Sequence, residues 1–380
     1  KIELNDVFTN KTIFMLSNFI VNNNSKYTEQ GILDNSNKNL IKRVPFESSY
    51  GLSFAQERLF FLCDFDKESL KAYNIPMCFK FSKKSINKDI FFKSFKEVVI
   101  RHEILRTIIK EDVNNGNELR QFIIDFNEIQ EEQLLFEFEY CLNKNEMDLK
   151  IIKLFNYEFN LRKEIPVKIV FFINLEDKDD NIYVGILFHH ICFDGWSTQI
   201  FIRDLQNFYE FFNNQKDENL TKKNIEISLN LPVLSIQYKD YSIWQREYLS
   251  GKRLQKLIDY WKSKLEFFEE LNLIYDCQLR PIQFDYSGDE IYFELNENVS
   301  SKLKLNARKL NVSLYSYLLS AFSFVLSNLT NQNDILIGTP VANRNQIELD
   351  NLIGFFINML VLRIKINKYD NLCDFIKNVS

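Results

Sequence analysis

Two adjacent histidines, followed closely by an aspartate and a glycine, are the residues of this sequence best suited to do chemistry. They lie in the segment HHICFDGWS, which runs from His189 to Ser197 and is called the histidine loop below. An imidazole can accept a proton or position a nucleophile, and a helix beginning near Ser197 would direct a positive dipole towards a developing oxyanion. Gly195 would let a ligand approach the backbone closely. Together these features favour acyl transfer.

The same residues also allow a purely structural interpretation, in which both histidines are hydrogen-bonded core residues at a strand end. Two of the three histidines of the chain are adjacent here, and spacing alone leaves both interpretations open. Because neighbouring residues of a strand point to opposite faces, only one of His189 and His190 can face a cleft.

The sequence offers no obvious covalent nucleophile. It contains no Gly-x-Ser-x-Gly elbow, Cys192 lies within the apolar letters ICF, and nine glycines in 380 residues leave little room for a phosphate-binding loop. These observations favour direct transfer between two bound substrates.

Composition argues against several other classes of protein. A net charge of −5 argues against a nucleic-acid partner. The six cysteines are scattered without a C-x-x-C pair, which argues against a metal site and favours reduced thiols in a cytoplasmic protein. The most apolar stretch, Gly354–Leu362, is far shorter than the roughly 20 residues of a membrane-spanning helix, so it is predicted to be a buried strand and no membrane is expected.

Periodicity predicts the elements that must position the histidine loop. Strands are predicted over Val167–Leu175 and Ile182–Phe188, and the second ends directly at His189. Ser197 is predicted to be the N-cap of a helix over Thr198–Phe212. Further predictions are helices over 87–100, 236–249, 254–271, 299–310 and 313–329, and strands over 119–126, 290–295, 335–337 and 356–366.

The histidine loop fits the H-H-x-x-x-D-G-x-S signature, and the sequence resembles condensation domains of non-ribosomal peptide synthetases. Four further motifs occur in the order of that family, over about residues 45 to 380. They are LSFAQERLFFL (Leu52–Leu62), RHEILRT (Arg101–Thr107), YKDYSIWQ (Tyr238–Gln245) with YW (Tyr260–Trp261) after it, and IGTPVANRNQIELDNLIGFFINMLVLR (Ile337–Arg363).

The resemblance implies an α/β fold in which two chloramphenicol acetyltransferase-like subdomains form a V-shaped pseudo-dimer around a central tunnel. The subdomains are expected at 45–215 and 216–380, after a linker at 24–44. Asp6–Ile20 resembles the last helices of a peptidyl carrier protein, so residues 1–23 are expected to be the end of a carrier domain. The family's final Arg-rich motif is absent, so the C-terminal subdomain is expected to be truncated at Ser380.

The family's second histidine corresponds to His190, which is therefore expected to be the key catalytic residue. It could act as a general base or position the amine, since an α-amine with a pKa of roughly 8 is already partly neutral at pH 7. His189 is expected to turn into the core.

Asp194 is expected either to polarise His190 or to form a buried ion pair. For the ion pair the first choice of partner is Arg106, and Arg58 and Arg344 are alternatives.

The remaining site residues have supporting roles in the resemblance. Gly195 is expected to keep the tunnel open, and Ser197 to cap the following helix. Asn358 either reaches the cleft or makes a local hydrogen bond. Trp196 and Ser197 continue the motif in a way that epimerisation domains do not.

The function implied is peptide-bond formation between substrates carried on phosphopantetheine arms. The expected partners are an upstream donor and a downstream acceptor peptidyl carrier domain and an adjacent adenylation domain, and no cofactor or metal of the chain's own is expected. Two alternatives stay open. One is a non-catalytic recruitment module of the same fold, although such modules lose the second histidine, which is present here. The other is an epimerisation domain.

Overall fold

The computed structural model describes residues 40–126, 136–177, 180–214, 231–274, 286, 288–367 and 369–380. Its helices are α1 Phe54–Phe65, α2 Ser69–Ala72, α3 Lys88–Arg101, α4 Lys144–Phe155, α5 Gly195–Asn214, α6 Tyr238–Tyr248, α7 Gly251–Lys264, α8 Glu297–Leu310, α9 Leu314–Thr330 and α10 Leu372–Val379. Its strands are β1 Tyr50–Gly51, β2 Asn74–Ser82, β3 Thr107–Asp112, β4 Glu118–Ile123, β5 Phe136–Cys141, β6 Val167–Asn174, β7 Asn181–His189, β8 Asp334–Val341 and β9 Asn358–Lys365. The fold class is therefore α/β, as the sequence predicts.

A four-stranded sheet in the order β2-β7-β6-β5 carries the histidine loop at the end of β7. β7 pairs antiparallel with β2 and β6, and β5 runs parallel to β6. Every residue of β7 except Tyr183 is buried, because both faces of the sheet are covered. On one face Phe171 packs against Phe91 of α3, with ring centroids 5.5 Å apart. On the other face, a Cβ added at Gly185 would lie 2.8 Å from Leu154 of α4.

Aromatic packing holds α5 against the same sheet. Phe201 of α5 contacts Phe188 of β7 with ring centroids 5.1 Å apart, and Phe95 of α3 at 6.2 Å. The end of β7 and the start of α5 are thus fixed by one core, and the histidine loop spans the short distance between them.

The other sheets are a three-stranded antiparallel sheet, β1-β4-β3, and the antiparallel pair β8-β9. Residues 342–357, named the β8–β9 loop, connect that pair. Several apolar residues of this loop are buried in the same core cluster as β7: Leu349, Leu352, Ile353, Phe355 and Phe356. The β8–β9 loop therefore packs directly beside the histidine loop.

Most of the predicted helices are confirmed, whereas two of the strand predictions are wrong. The described residues of 290–295 form no strand, and Ile291 and Tyr292 are 90% and 86% exposed. No strand within the described part of the chain pairs with this segment. In Gly354–Leu362 the buried part, 354–356, is loop, and the strand begins only at Asn358. The predicted carrier fragment at 1–23, most of the linker at 24–44 and residues 215–230 lie outside the described residues.

Strands β1, β2 and β5 are absent from the sequence predictions, and the position of β2 explains why it was missed. β2 reads NIPMCFKFS, and Pro76 argues against a central strand. β2 is an edge strand of the sheet, where a residue without an N–H group is tolerated.

Among the described residues, no helix taken alone meets the length and apolarity required to cross a membrane. One pair, Glu297–Leu310 with Leu314–Thr330, meets those criteria only when joined, and it is bent by 103°.

Candidate active site

The backbone of the histidine loop is anchored on both sides of the two histidines. The His189 N–H donates to the Pro166 carbonyl at 3.0 Å, and the His190 N–H donates to the Tyr73 carbonyl at 2.8 Å. His189 is the last residue of β7, and the chain turns immediately after it, with the Cys192 N–H donating to the His189 carbonyl at 3.1 Å. The predicted position of the histidines at a strand end is confirmed.

His189 lies in the core. Its side chain is fully buried, its Nδ1 accepts a hydrogen bond from the Ile191 N–H at 3.2 Å, and its Nε2 lies 3.9 Å from Cys63 Sγ. Burial, with a smaller contribution from neighbouring His190, lowers the pKa of His189 to about 3. The ring is therefore neutral at physiological pH, and it supports the end of the strand.

His190 is partly exposed, in contrast to His189. Its ring packs against Phe355 of the β8–β9 loop, with centroids 4.8 Å apart. Its Nδ1 is buried and makes no hydrogen bond of normal geometry with the described residues. Burial lowers the pKa of His190, and nearby backbone carbonyls of His190 and Phe193, with the Asp194 charge, only partly offset this. A neutral imidazole able to accept a proton is the result.

Asp194 is only 2% exposed, and donors surround both of its carboxylate oxygens. Oδ1 accepts from Ser197 N at 2.9 Å and Ser197 Oγ at 2.7 Å. Oδ2 accepts from Phe356 N at 3.1 Å, and Arg344 Nη2 lies 3.1 Å from Oδ1. This carboxylate therefore joins the histidine loop to the β8–β9 loop, and no described hydrogen bond connects it to His190.

The prediction that Arg106 is the partner of Asp194 is wrong, and the alternative Arg344 is the residue found there. Arg106 donates to the Ile124 carbonyl at 2.5 Å, next to β3 and β4, and no described hydrogen bond or ion pair joins it to Asp194. Arg58 is exposed on α1. Arg344 is 2% exposed in its side chain and also donates to the Leu352 carbonyl at 2.7 Å.

The prediction that Ser197 is the N-cap of the helix is also wrong. α5 begins at Gly195, and Asp194 fills the capping role by accepting from the Ser197 N–H. Ser197 Oγ instead accepts from the Gly354 N–H at 3.1 Å. The carboxylate of Asp194 thus occupies the start of α5 and binds the Ser197 amide. That amide is therefore not free to stabilise an oxyanion, as the helix dipole was predicted to do.

Three further predicted residues make no described hydrogen bond to Asp194, although the Trp196 ring centroid lies 5.9 Å from Cζ of Arg344, the partner of Asp194. Gly195 is exposed, and a Cβ added there would meet nothing within 4 Å. Trp196 is 50% exposed, and its indole N–H donates to the Asp350 carbonyl at 3.3 Å. Asn358 is exposed at the start of β9, opposite Val341, and no described hydrogen bond joins it to the histidine loop.

Sequence reasoning missed the role of Tyr238 and Gly354 in holding the β8–β9 loop. The Tyr238 hydroxyl donates to the Phe355 carbonyl at 2.7 Å. A Cβ at Gly354 would lie 2.3 Å from Tyr238 Cδ2, so only glycine fits there. A lone glycine inside the apolar run LIGFFI was the available signal for this close approach.

The thiol of the histidine loop is not exposed to solvent. Cys192 is fully buried, its thiol donates to the His189 carbonyl at 3.2 Å, and burial raises its pKa. No group of three or more His, Cys, Asp or Glu side chains within the described ranges is placed to hold a metal ion.

The chain belongs to the condensation-domain family of non-ribosomal peptide synthetases, since a family model described as "Condensation domain" matches residues 46–380. It is 34% identical over 329 residues, or 87% of its length, to N-(5-amino-5-carboxypentanoyl)-L-cysteinyl-D-valine synthase of Amycolatopsis lactamdurans. It is 31% identical over 352 residues, or 90% of its length, to malpinin synthetase of Mortierella alpina. The chain spans only 8% and 4% of these two relatives.

Solved structures show the same fold at low sequence identity. The X-domain from teicoplanin biosynthesis matches with a TM-score of 0.74 and 18% identity, covering 90% of this chain and 71% of the other. A four-domain nonribosomal peptide synthetase bound to AMP and glycine matches with a TM-score of 0.68 and 20% identity, covering 88% of this chain and 24% of the other. The mixed sheets and helices are thus those of the condensation-domain fold, consistent with the two-subdomain arrangement that the resemblance implies.

Proposed function

We propose that this chain forms a peptide bond between two substrates held as phosphopantetheine thioesters on carrier domains. The observation that carries the proposal is the environment of His190: a neutral, partly exposed ring held between the end of β7 and Phe355. A neutral imidazole can accept a hydrogen bond from the acceptor amine, which an imidazolium cannot do.

The reaction proposed is direct transfer. The α-amine nitrogen of the acceptor attacks the carbonyl carbon of the donor thioester, a C–N bond forms, and the C–S bond breaks. The proton lost by the amine ends on the released phosphopantetheine thiol. His190 accepts the hydrogen bond of the attacking amine and receives that proton in transit. No covalent enzyme intermediate is proposed, because Cys192, the thiol of the histidine loop, is buried.

The other predicted residues take positioning roles in this proposal. Asp194 and Arg344 keep the β8–β9 loop, and with it Phe355, against the ring of His190. His189 supports the backbone from the core. Neither the backbone conformation of Gly195 nor its neighbours require a glycine at this position. We therefore assign Gly195 the role of leaving the space in front of α5 free for a pantetheine arm.

The wider arrangement is proposed on the same basis. An upstream carrier delivers the donor and a downstream carrier delivers the acceptor, beside an adenylation domain, in the cytoplasm. The chain is divided into a carrier end at 1–23, a linker at 24–44, and condensation subdomains at 45–215 and 216–380 around a tunnel.

The test is condensation by the full-length protein with two loaded carriers, with the dipeptidyl product detected by mass spectrometry. The wild type is expected to form product, and His190→Ala is expected to lose roughly 10²–10⁴-fold in rate while its urea unfolding midpoint stays unchanged. Wild-type rates in His190→Ala would refute the assignment of His190. Carrier binding without product in the wild type would instead favour a recruitment module, and inversion of the donor α-carbon would favour epimerisation.

A further inference from the structure

A buried polar cluster contacts the β8–β9 loop independently of the Asp194–Arg344 pair. At its centre Asp204 of α5 is fully buried. Its Oδ2 accepts from Arg101 Nε at 2.8 Å and from His102 Nε2 at 2.9 Å, and its Oδ1 accepts from Arg203 Nη2 at 2.7 Å. The carboxylate is thus neutralised and fixed by three side chains from α3, α5 and the turn after α3.

His102 connects the fixed carboxylate of Asp204 to the β8–β9 loop. Because Asp204 can only accept, the proton of the neutral His102 ring is on Nε2 and Nδ1 is an acceptor. The donor facing Nδ1 is the backbone N–H of Ile353, at 3.4 Å. His102 is completely buried, so no water replaces it as the partner of that amide.

A second contact joins the cluster to the same loop two residues earlier. Arg203, which binds Asp204, donates from Nη1 to Asn351 Oδ1 at 2.7 Å. The cluster thus holds the loop at positions 351 and 353, immediately before the residues that reach the histidine loop.

The loop has no room to absorb a displacement between Ile353 and Phe355. Gly354 lies so close to Tyr238 that a Cβ would be 2.3 Å from the ring, and the Phe355 carbonyl accepts from the Tyr238 hydroxyl at 2.7 Å. A shift of Ile353 is therefore transmitted to Phe355, whose ring packs 4.8 Å from that of His190.

We propose that His102, with the Asp204 cluster around it, is a positioning residue that sets the place of the β8–β9 loop and, through Phe355, the orientation of His190. It touches no reacting atom itself. This inference rests on the proposed function only for its kinetic consequence, because the structural link from His102 to Phe355 can be measured without turnover.

Two substitutions of similar size separate the positioning role from a structural one. His102→Asn keeps an acceptor at the position of Nδ1, facing Ile353, and loses the donor to Asp204. His102→Gln keeps a donor at the position of Nε2, facing Asp204, and loses the acceptor for the Ile353 amide. Asn351→Ala removes the other loop contact and leaves the buried cluster intact.

The variants are compared in the full-length protein by steady-state condensation kinetics and by hydrogen exchange of the backbone amides of 350–357. His102→Gln is expected to lower kcat by about ten- to a hundred-fold at little change in KM, with faster exchange in that segment, and His102→Asn to restore both towards wild type. Asn351→Ala is expected to lower kcat by about two- to ten-fold.

The outcomes are distinguishable. Wild-type kcat and exchange in His102→Gln, with damage only in His102→Asn, would show that His102 merely satisfies Asp204, and the inference fails. If both His102 variants unfold, wild-type kcat and exchange in Asn351→Ala overturn it. If the wild type forms no peptide bond, the proposed function fails, while hydrogen exchange still decides whether His102 positions the loop.

Discussion

The ion pair between Asp194 and Arg344 yields a stability prediction that can be worked out from burial. The Nη2 of Arg344 lies 3.1 Å from Asp194 Oδ1, and both side chains are 2% exposed. Removing one partner of a buried pair costs about 3–5 kcal/mol, because the other charge is left in a medium of low dielectric. Asp194 keeps its contacts with Ser197 and Phe356, so Arg344→Met is expected to destabilise the fold by about 3 kcal/mol.

The chain offers a control with the same distance and different burial. Lys83 Nζ lies 3.1 Å from Asp180 Oδ1, but these side chains are 50% and 58% exposed. An exposed pair contributes about 1 kcal/mol or less and is screened by salt. Lys83→Met is therefore expected to change the free energy of unfolding by about 1 kcal/mol at most.

Urea unfolding of the wild type, Arg344→Met and Lys83→Met at low and high salt measures both effects. The loss in Arg344→Met is expected to persist at high salt, whereas any loss in Lys83→Met is expected to disappear. Equal unfolding midpoints for the two variants, or a loss in Arg344→Met that salt abolishes, would refute the argument that burial makes this pair important.

Three more predictions follow from the same contacts. Gly354→Ala is expected to lower the free energy of unfolding in urea by about 1–3 kcal/mol, because its Cβ would clash with Tyr238. The control Gly195→Ala, whose Cβ meets open space, is expected to lower it by less than about 0.5 kcal/mol. Equal losses in the two variants would contradict the predicted clash. Gly195→Leu is expected to fold normally and lose turnover in the two-carrier assay, and normal turnover would contradict the proposed path of the pantetheine arm. The pKa of His189 falls from 6.5 to about 3 on folding. Between these two pH values the unfolded ring binds a proton that the folded ring does not, so the free energy of unfolding falls as the pH drops through this range. His189→Asn keeps an acceptor for the Ile191 amide and is expected to lose less stability than the wild type between about pH 7 and about pH 5. Equal losses of the two proteins in urea unfolding over this range would refute the pKa shift of His189.

Local patterns predicted a large part of what positions the site. The apolar run of β7 and the amphipathic segment of α5 identified the two elements that flank the histidine loop, because both periodicities depend on near neighbours in the chain. The alternation of a strand also predicted that His189 and His190 differ, and the structure places His189 in the core and His190 partly exposed.

Other features depended on residues that only the fold brings together. Gly354, Phe355 and Phe356 were predicted as strand from their apolar character, but two of their amides donate to Ser197 Oγ and Asp194 Oδ2 instead of to a strand. A segment can be buried as loop when side chains satisfy its backbone, and no local pattern reports those side chains.

By itself the sequence determined the strand-turn-helix that presents two histidines, and the family to which the chain belongs. The tertiary structure alone decided the partner of Asp194, which is Arg344, 150 residues away, and not Arg106. It likewise decided that Asp194, and not Ser197, caps α5. The physical reason is the same in both cases: local propensity depends on adjacent residues, whereas the partner of a buried charge depends on where the chain returns to the core.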